Sequence, residues 1–266
     1  MDPITRSRRA VLGLGAALAA GVLAACGRGD APRPAPAPPT EPPPVSPTRA
    51  AGPTATRAAG PTATGVGGEI VAGPRTRRQV ALTFHGSGDP ALTTRALEVL
   101  RAGHAHVTVL AVGRWLEANP ALAGPILEAG HEVGNHTYTH PALPDLGAAA
   151  VRREIEGCRD VLIAMAGTPG RWFRPSGTPH ATPLIRRAAA AAGYPVCLSY
   201  DVDPLDYLDP GPALVRSRVA ATVRPGSIVS LHLGHPGTVA ALPGILADLH
   251  ARGLAAVTVS TLVGPR

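Results

Sequence analysis

The sequence predicts an α/β domain in which parallel β-strands alternate with α-helices. Short runs of β-branched and apolar residues recur along the chain, stretches with helical periodicity separate them, and polar motifs follow the strand ends. Such alternation implies parallel strands with helical crossovers, either a barrel or a doubly wound sheet. In both architectures the chemistry is expected at the carboxyl ends of the strands.

Seven strands and six helices are predicted, all in one domain over residues 69–266. The strands are expected at residues 79–84, 105–112, 132–134, 171–174, 195–200, 227–232 and 255–259. The helices are expected at residues 91–102, 120–129, 148–166, 182–192, 212–222 and 238–252. Apolar residues make up 45% of the chain but aromatic residues only 3%, so the core must consist mainly of Val, Leu, Ile and Ala.

Residues 1–26 have the pattern of an export signal. Arg8 and Arg9 precede an apolar run, residues 10–25, that is too short and too rich in small residues for a membrane span. The run ends in Leu-Ala-Ala-Cys, which resembles a bacterial lipobox, and its start resembles a twin-arginine signal. The alternative is a plain N-terminal membrane helix. We expect Cys26 to be acylated and to anchor the exported protein on the outer face of the cytoplasmic membrane.

Residues 27–68 are expected to form a disordered linker. Pro, Ala, Thr and Gly dominate this stretch, and the sequence AGPTAT occurs at both 51–56 and 59–64. A segment without an apolar face cannot bury enough surface to offset its ordering entropy. It therefore suits a spacer that holds the following domain away from the membrane.

The formal net charge of +7 is carried by arginine and lies largely in the leader and linker. No zinc-finger spacing or alternation of basic and aromatic residues accompanies it, so we expect no nucleic-acid partner. Attraction to an anionic membrane or cell wall is the simpler interpretation. We expect a monomer. Export permits a disulfide between Cys158 and Cys197, but the sequence leaves their pairing open.

The most informative motif is His-Thr-Tyr-Thr-His at residues 136–140. On a helical turn, residues four apart lie on the same face, so both imidazoles can bind one metal ion. Neutral imidazole is the commonest protein ligand for zinc-like metals. The alternative for His136 and His140 is a pair of surface histidines at an accidental spacing.

Other polar groups follow the remaining predicted strands. His85 and Asp89 lie in a His-Gly-Ser-Gly-Asp segment after the first strand, and an Arg-Pro-Ser-Gly segment, residues 174–177, follows the fourth. Asp203 and Asp206 follow the fifth strand, and the sixth ends at residue 232, a histidine. Clusters at several strand ends on one rim are typical of a metal-dependent hydrolase.

In order and spacing, these motifs resemble those of the polysaccharide deacetylases, the NodB-homology carbohydrate esterases, over about residues 79–259. Residues 136–140 match the family's His-Ser/Thr-x-x-His motif in full, and residues 174–177 keep the first two residues of its Arg-Pro-Pro-Tyr-Gly motif. Residues 203–207 match Asp-x-x-Asp-Trp with Tyr in the last place, and residues 228–232 match an apolar strand ending in Leu-His. The resemblance implies a distorted (β/α) barrel and metal-dependent removal of N- or O-linked acetyl groups from a cell-wall or extracellular polysaccharide.

The chain departs from the family in the first motif. The family has Thr-Phe-Asp-Asp-Gly, with a general base followed by a metal ligand, whereas this chain has His85 and Gly86 in those two places. Glycine offers no ligand atom. We favour Asp89 as the third ligand beside His136 and His140, with His85 as the base, because imidazole accepts protons near neutral pH. The exchange of these two roles is the alternative. The expected cofactor is a divalent metal, zinc in the first place, with cobalt, nickel or manganese as alternatives.

The resemblance also assigns roles to the later motifs. His232 would protonate the departing amine or alcohol, with Asp206 orienting its imidazole. Arg174 would hold a carboxylate or line the groove, unless it forms a structural ion pair. The backbone N–H of Gly177 would help the metal to stabilise the oxyanion. Tyr207 is expected to contact the substrate.

Other functional classes compete with this interpretation. A glycan-binding pseudoenzyme would retain the fold without the catalytic Asp pair. A hydrolase with Ser87 or Ser176 as its nucleophile is disfavoured because neither serine lies in Gly-x-Ser-x-Gly. The two glycines at 86 and 88 lack the third glycine of a dinucleotide-binding loop. His235 lies near enough in sequence to compete with His232 for the role of acid.

Overall fold

The computed structural model of the chain describes residues 68–265. The predicted leader, its lipidation site at Cys26 and all but the last residue of the predicted linker lie outside the described residues. Within residues 68–265, no helix combines the length and the apolar character needed to cross a lipid bilayer.

Parallel strands form the centre of the fold, and β2 pairs with three of them. The strands are β1 (Gly68–Ile70), β2 (Gln79–Gly86), β3 (Thr108–Ala111), β4 (Glu132–Asn135), β5 (Val196–Leu198), β6 (Ile228–His232) and β7 (Ala255–Val257). The main sheet has the order β4-β3-β2-β6, with β7 also on β2, while β1 pairs with β5. Phe173 bridges β4 to β5, and a bridge from Val202 reaches β6. These bridges close the sheet into a distorted barrel.

In the part of the chain that the structure describes, eight α-helices surround the strands. They are α1 (Pro90–Ala102), α2 (Gly113–Ala118), α3 (Ala123–Glu128), α4 (Ala148–Ala166), α5 (Pro183–Ala191), α6 (Pro212–Thr222), α7 (Pro236–Ala251) and α8 (Val259–Val263). Helix α4 shows why its sequence is helical, because its buried residues recur every three or four positions and pack against the sheet: Val151, Ile155, Cys158 and Leu162. It ends at Gly167, whose φ of 68° suits glycine.

The side chains of β2 alternate between the helical layer and the barrel interior. Val80, Leu82 and Phe84 are buried in the cluster that also contains residues of α1 and α7. Successive residues of a strand point to opposite faces, so Thr83 and His85 face inward. This alternation places His85 inside the barrel at the carboxyl end of its central strand.

The predicted elements agree with the structure except at their ends and in five places. Helices 148–166 and 212–222 have the predicted bounds. The predicted helix 120–129 is a 3-10 turn followed by α3, and of the predicted strand 171–174 only Phe173 forms bridges. Elements β1, α2 and α8 are absent from the prediction, because three to six residues carry too little periodicity to reveal an element.

Cys158 and Cys197 are both free and buried, so the structure contains no disulfide between them. They lie in separate core clusters. Burial raises the pKa of each thiol to about 12, which keeps both protonated and unreactive at neutral pH.

Candidate active site

Five histidines form a row across one open cavity of about 460 Å³. In order they are His140, His136, His85, His232 and His235, and neighbouring ring centroids are 4.8, 4.1, 4.3 and 5.7 Å apart. The row contains four of the predicted site residues and adds His235, which the sequence suggested only as a competitor of His232.

The strand register explains why distant histidines meet. His85 and His232 are direct partners in the parallel β2–β6 ladder. His136 immediately follows β4, whose Asn135 pairs with the end of β3 next to β2. Because the carboxyl ends of parallel strands share one rim, three side chains more than fifty residues apart in sequence become neighbours.

His136 and His140 converge through a loop rather than through a helical turn, so the helical part of the prediction is wrong. Thr137 and His140 have φ values of 67° and 61°, in the left-handed region. The Oδ1 atom of Asn135 accepts a hydrogen bond from the Thr137 N–H at 3.0 Å, and both carboxylate oxygens of Glu154 hold Thr139 at 2.7 Å. These contacts fix the loop conformation that turns both imidazoles toward each other.

The geometry of this pair fits a metal ion. The Nδ1 atom of His136 donates to the Arg174 carbonyl at 2.9 Å, so its Nε2 keeps a lone pair. That atom lies 3.1 Å from Nε2 of His140. Zinc–nitrogen bonds of about 2.0–2.1 Å in a tetrahedral site would place two ligand nitrogens about 3.3–3.4 Å apart. Burial is the main cause that lowers the pKa of both histidines, which favours the neutral form that binds metals.

His85 is the third member of the cluster. One ligand atom from each of His85, His136 and His140 lies within 4.8 Å of those of the other two. Burial first, and then the neighbouring His136, hold the pKa of His85 well below its usual value. Its Nε2 lies 3.1 Å from Nη1 of Arg174, and its Nδ1 is buried with no hydrogen-bond partner within residues 68–265.

Asp89 does not join the histidines, contrary to the prediction that it is the third ligand. Its Oδ1 accepts a hydrogen bond from the Ala91 N–H at 2.9 Å, which makes it the N-cap of α1. Pro90 then occupies the first turn of the helix. An Asp-Pro pair before an apolar stretch is a helix-start signal, and this signal in the sequence indicated the capping role.

His232 forms the predicted pair with Asp206, whose side chain is fully buried. Oδ1 of Asp206 accepts from Nδ1 of His232 at 2.8 Å, while Oδ2 accepts from the His232 N–H at 2.8 Å and from the Thr238 hydroxyl at 2.6 Å. The carboxylate therefore fixes both the tautomer and the orientation of the ring, and leaves Nε2 for proton transfer. Sequence reasoning missed Thr238, which has no motif of its own.

A second pair of the same kind lies beside the first. Nδ1 of His235 is 2.9 Å from Oδ1 of Asp209, and each partner is three residues beyond its counterpart in the first pair. This outer pair is much more exposed, with 63% of the Asp209 side chain accessible. It thus provides a natural internal comparison for the inner pair.

Arg174 is buried, with 1% of its surface accessible, and its hydrogen bonds go only to neutral groups. Nη2 donates to the Thr83 hydroxyl at 2.9 Å and to the Ser199 carbonyl at 3.1 Å. Within residues 68–265 no carboxylate lies within salt-bridge distance of it, so neither predicted carboxylate partner is present. Burial lowers the pKa of Arg174 to about 9, which leaves the guanidinium charged at neutral pH.

The remaining predicted residues lie at the cavity wall. Gly177 lines the cavity with a φ of 71°, and a Cβ there would lie 2.6 Å from Cα of Ala142, so the position requires glycine. The Tyr207 ring is 5.4 Å from that of His232 and 44% of the residue is exposed. Ser176 is buried and donates to the Pro141 carbonyl rather than to a histidine, which argues against a nucleophilic role.

The family model described as polysaccharide deacetylase matches residues 72–197. A peptidoglycan-N-acetylglucosamine deacetylase of Bacillus cereus is 32% identical over 194 residues, which cover 71% of this chain and 90% of that protein. The chain belongs to the polysaccharide deacetylase family. A chitooligosaccharide deacetylase of Sinorhizobium fredii is 34% identical over 65% of this chain and 86% of its own length.

Solved structures give the same family and the same fold. A CE4 family pseudoenzyme from Bacillus anthracis superimposes with a TM-score of 0.69 at 27% identity, over 74% of this chain and 69% of that one. A mutant of that pseudoenzyme with restored enzymatic activity has the same TM-score. The predicted family, the barrel fold and the carbohydrate deacetylase class are confirmed, and both deacetylases and a pseudoenzyme are among the chain's relatives.

Within this family, the departure at Gly86 is a difference in packing as well as in chemistry. A Cβ at this position would lie 2.9 Å from Cζ3 of Trp115 and 3.1 Å from Cα of Ala111. Position 86 therefore faces the packed helical layer, not the histidine row. The Trp115 indole also donates to the Gly88 carbonyl at 2.9 Å, which holds the loop after β2 in place.

Proposed function

We propose that this protein is a metal-dependent deacetylase that hydrolyses acetyl groups on a cell-wall polysaccharide, with the N-acetylglucosamine of peptidoglycan as the substrate. The observation that carries the proposal is the convergence of three neutral histidines beside a buried His–Asp pair in one open cavity. The relatives named as peptidoglycan deacetylases support the choice of polymer.

The three histidines of the cluster are the proposed metal ligands. The Nε2 atoms of His136 and His140 face each other at 3.1 Å, and His85 takes the third position that the sequence analysis gave to Asp89. Three imidazoles favour zinc, cobalt or nickel over manganese, which prefers oxygen ligands. When bound, the metal would polarise the acetyl carbonyl and lower the pKa of a water molecule.

His232 is the proposed proton-handling residue in both halves of the reaction. Nδ1 is committed to Asp206, so Nε2 of the neutral ring can take a proton from the attacking water. The buried carboxylate then stabilises the imidazolium, which returns the proton to the departing amine or alcohol. His85 cannot share this task because an imidazole has one lone pair, and metal binding uses it.

The cavity wall supplies the remaining interactions with the substrate. The backbone N–H of Gly177 is the proposed hydrogen-bond donor to the oxyanion, next to the metal site. Tyr207 offers a partly exposed ring against which an apolar sugar face can pack. Tyr200 lines the same cavity and lies under the Arg174 guanidinium, with its ring centroid 5.2 Å from Cζ.

The proposal includes the location of the protein. Acylation at Cys26, followed by the predicted linker to residue 68, would place the domain outside the cytoplasmic membrane and within reach of the wall. The protein would act there as a monomer and without a nucleic-acid partner.

The test measures acetate release from N-acetylglucosamine oligomers and from peptidoglycan, together with metal content. We expect about one zinc per chain, loss of acetate release on chelation, and recovery on adding zinc. His136→Ala should lose both metal and activity, whereas Asp209→Asn should keep both.

The alternative, a glycan-binding pseudoenzyme, is supported by the likeness to the Bacillus anthracis pseudoenzyme and by the missing Asp pair. Saturable binding of oligomers with no acetate release by the zinc-loaded protein would establish that alternative.

A further inference from the structure

The contact between Arg174 and His85 restricts what His85 can do. A guanidinium group donates hydrogen bonds and accepts none. The 3.1 Å contact between Nη1 of Arg174 and Nε2 of His85 therefore requires Nε2 to be the acceptor. The neutral ring then carries its proton on Nδ1, the buried atom that has no partner within residues 68–265.

This tautomer is incompatible with metal binding by either nitrogen of His85. Nε2 has a single lone pair, and Arg174 occupies it. Nδ1 can bind a metal only if its proton moves to Nε2, where it would face an N–H of Arg174. Both routes break the same hydrogen bond, so the contact with Arg174 and the third metal–ligand bond exclude each other.

The surroundings of Arg174 favour the contact with His85. Its Nη2 is held by Thr83 and Ser199, so the guanidinium cannot swing away freely, and its charge has no anionic partner at salt-bridge distance in the described part of the chain. A buried cation of this kind also repels a nearby divalent ion. His136 is not affected in the same way, because it bonds the backbone carbonyl of Arg174 and not the guanidinium.

We propose that Arg174 competes with the metal for His85, so that it weakens metal binding and makes loading of the site depend on the concentration of free metal. The inference rests on the proposed function, in which these three histidines hold the metal. In the metal-free form Arg174 keeps His85 as the Nδ1–H tautomer. In the metal-bound form His85 leaves Arg174 and completes the ligand set. Arg174 is thus a regulatory residue that acts through His85.

The test is the zinc affinity of the full chain, measured by competition with a chromophoric chelator. Arg174→Met keeps an unbranched buried side chain but removes the charge and the donor. It should tighten zinc binding about 10- to 100-fold, an effect of the size, though of opposite sign, seen when a partner that supports a metal ligand is removed. His85→Ala should weaken it by a similar factor. In the variant that combines His85→Ala with Arg174→Met, the increase in zinc affinity caused by Arg174→Met should be smaller than in the wild-type background. Unchanged or weaker binding by a folded Arg174→Met protein would overturn the proposal.

A second measurement covers the case in which the arginine variant fails to fold. The imidazole ¹⁵N resonances of the wild-type protein should report a protonated Nδ1 and an unprotonated Nε2 on His85 without metal, and a change on adding zinc. A His85 that keeps this tautomer at saturating zinc contradicts the competition. If zinc binds through His136 and its affinity does not change on substitution at position 85 or 174, the proposed competition is wrong. A metal-dependent activity would still be possible in that case. Failure of wild-type and Arg174→Met proteins to bind any zinc would contradict the proposed function as well.

Discussion

Replacing Asp206 with asparagine tests the proton-handling role of His232 at the level of single hydrogen bonds. The carboxylate accepts three hydrogen bonds, two of them at Oδ2, from the His232 N–H and the Thr238 hydroxyl. An asparagine can keep both of these only if its oxygen takes the Oδ2 position. Its NH₂ group then faces Nδ1 of His232, which must become an acceptor.

The substitution therefore inverts the tautomer of His232. The proton moves to Nε2, so that nitrogen can no longer accept a proton from water, and the imidazolium loses its buried counter-charge. We expect acetate release to fall by about 10²–10⁴-fold, the usual contribution of a positioned acid–base group, which corresponds to about 2.7–5.5 kcal/mol in the barrier. Zinc content should not change, because Asp206 lies outside the metal cluster.

The assay is steady-state acetate release at saturating zinc, with Asp209→Asn as the matched control. That substitution changes the same kind of bond, 2.9 Å to Nδ1 of His235, in the exposed outer pair. We expect it to retain activity within about threefold of the wild type, since exposed ion pairs contribute little. The reasoning is refuted if Asp206→Asn stays within that range, or if both variants lose activity equally.

Three further predictions concern packing and pH. Gly177→Ala should destabilise the protein by about 1–3 kcal/mol in urea denaturation, because its Cβ would meet Ala142 and its φ is positive; an unchanged midpoint would contradict this. Gly86→Asp, which restores the family's acidic residue, should destabilise the protein by a similar or larger amount, since the side chain would meet Trp115. It should not raise the zinc affinity. Tighter zinc binding would show that position 86 reaches the site. Burial lowers the pKa of His131 to about 4, so between about pH 6.5 and 4 the unfolded chain binds a proton that the folded chain does not. The free energy of unfolding should therefore fall as the pH drops through this range, by at most about 3 kcal/mol. His131→Phe should flatten the dependence of the urea midpoint on pH over this range, and an equally steep dependence would assign the loss to other groups.

The sequence was most informative where a pattern is long or chemically specific. Helix α4 has nineteen residues of regular amphipathic spacing, and its bounds match the prediction. The His136–His140 motif predicted that two imidazoles meet, and they do so even though the local conformation is a loop and not a helix. The motif identified the chemistry, because imidazoles at this spacing can converge through more than one backbone path.

Short and context-dependent features were beyond the sequence. Strand β1 has three residues and is defined only by its pairing with β5. Asp89 is a different case, because the Asp89-Pro90 pair is a local signal for a helix cap, and the sequence analysis assigned the carboxylate to the metal instead. The proximity of His85 to both His136 and His232 results from strand register, which no local pattern contains.

The amino-acid sequence alone determines the family, the alternating α/β architecture and the histidine pair, because residue types at characteristic spacings identify each of these. The resemblance to the family then implies the pairing of His232 with Asp206. The proposed third ligand is different. The β2–β6 register and the inward face of β2 bring His85 to the histidine pair, while the buried guanidinium of Arg174 lies against the same imidazole. These are contacts between residues about 90 to 150 positions apart, and only the closed barrel brings their lone pairs and protons into competition.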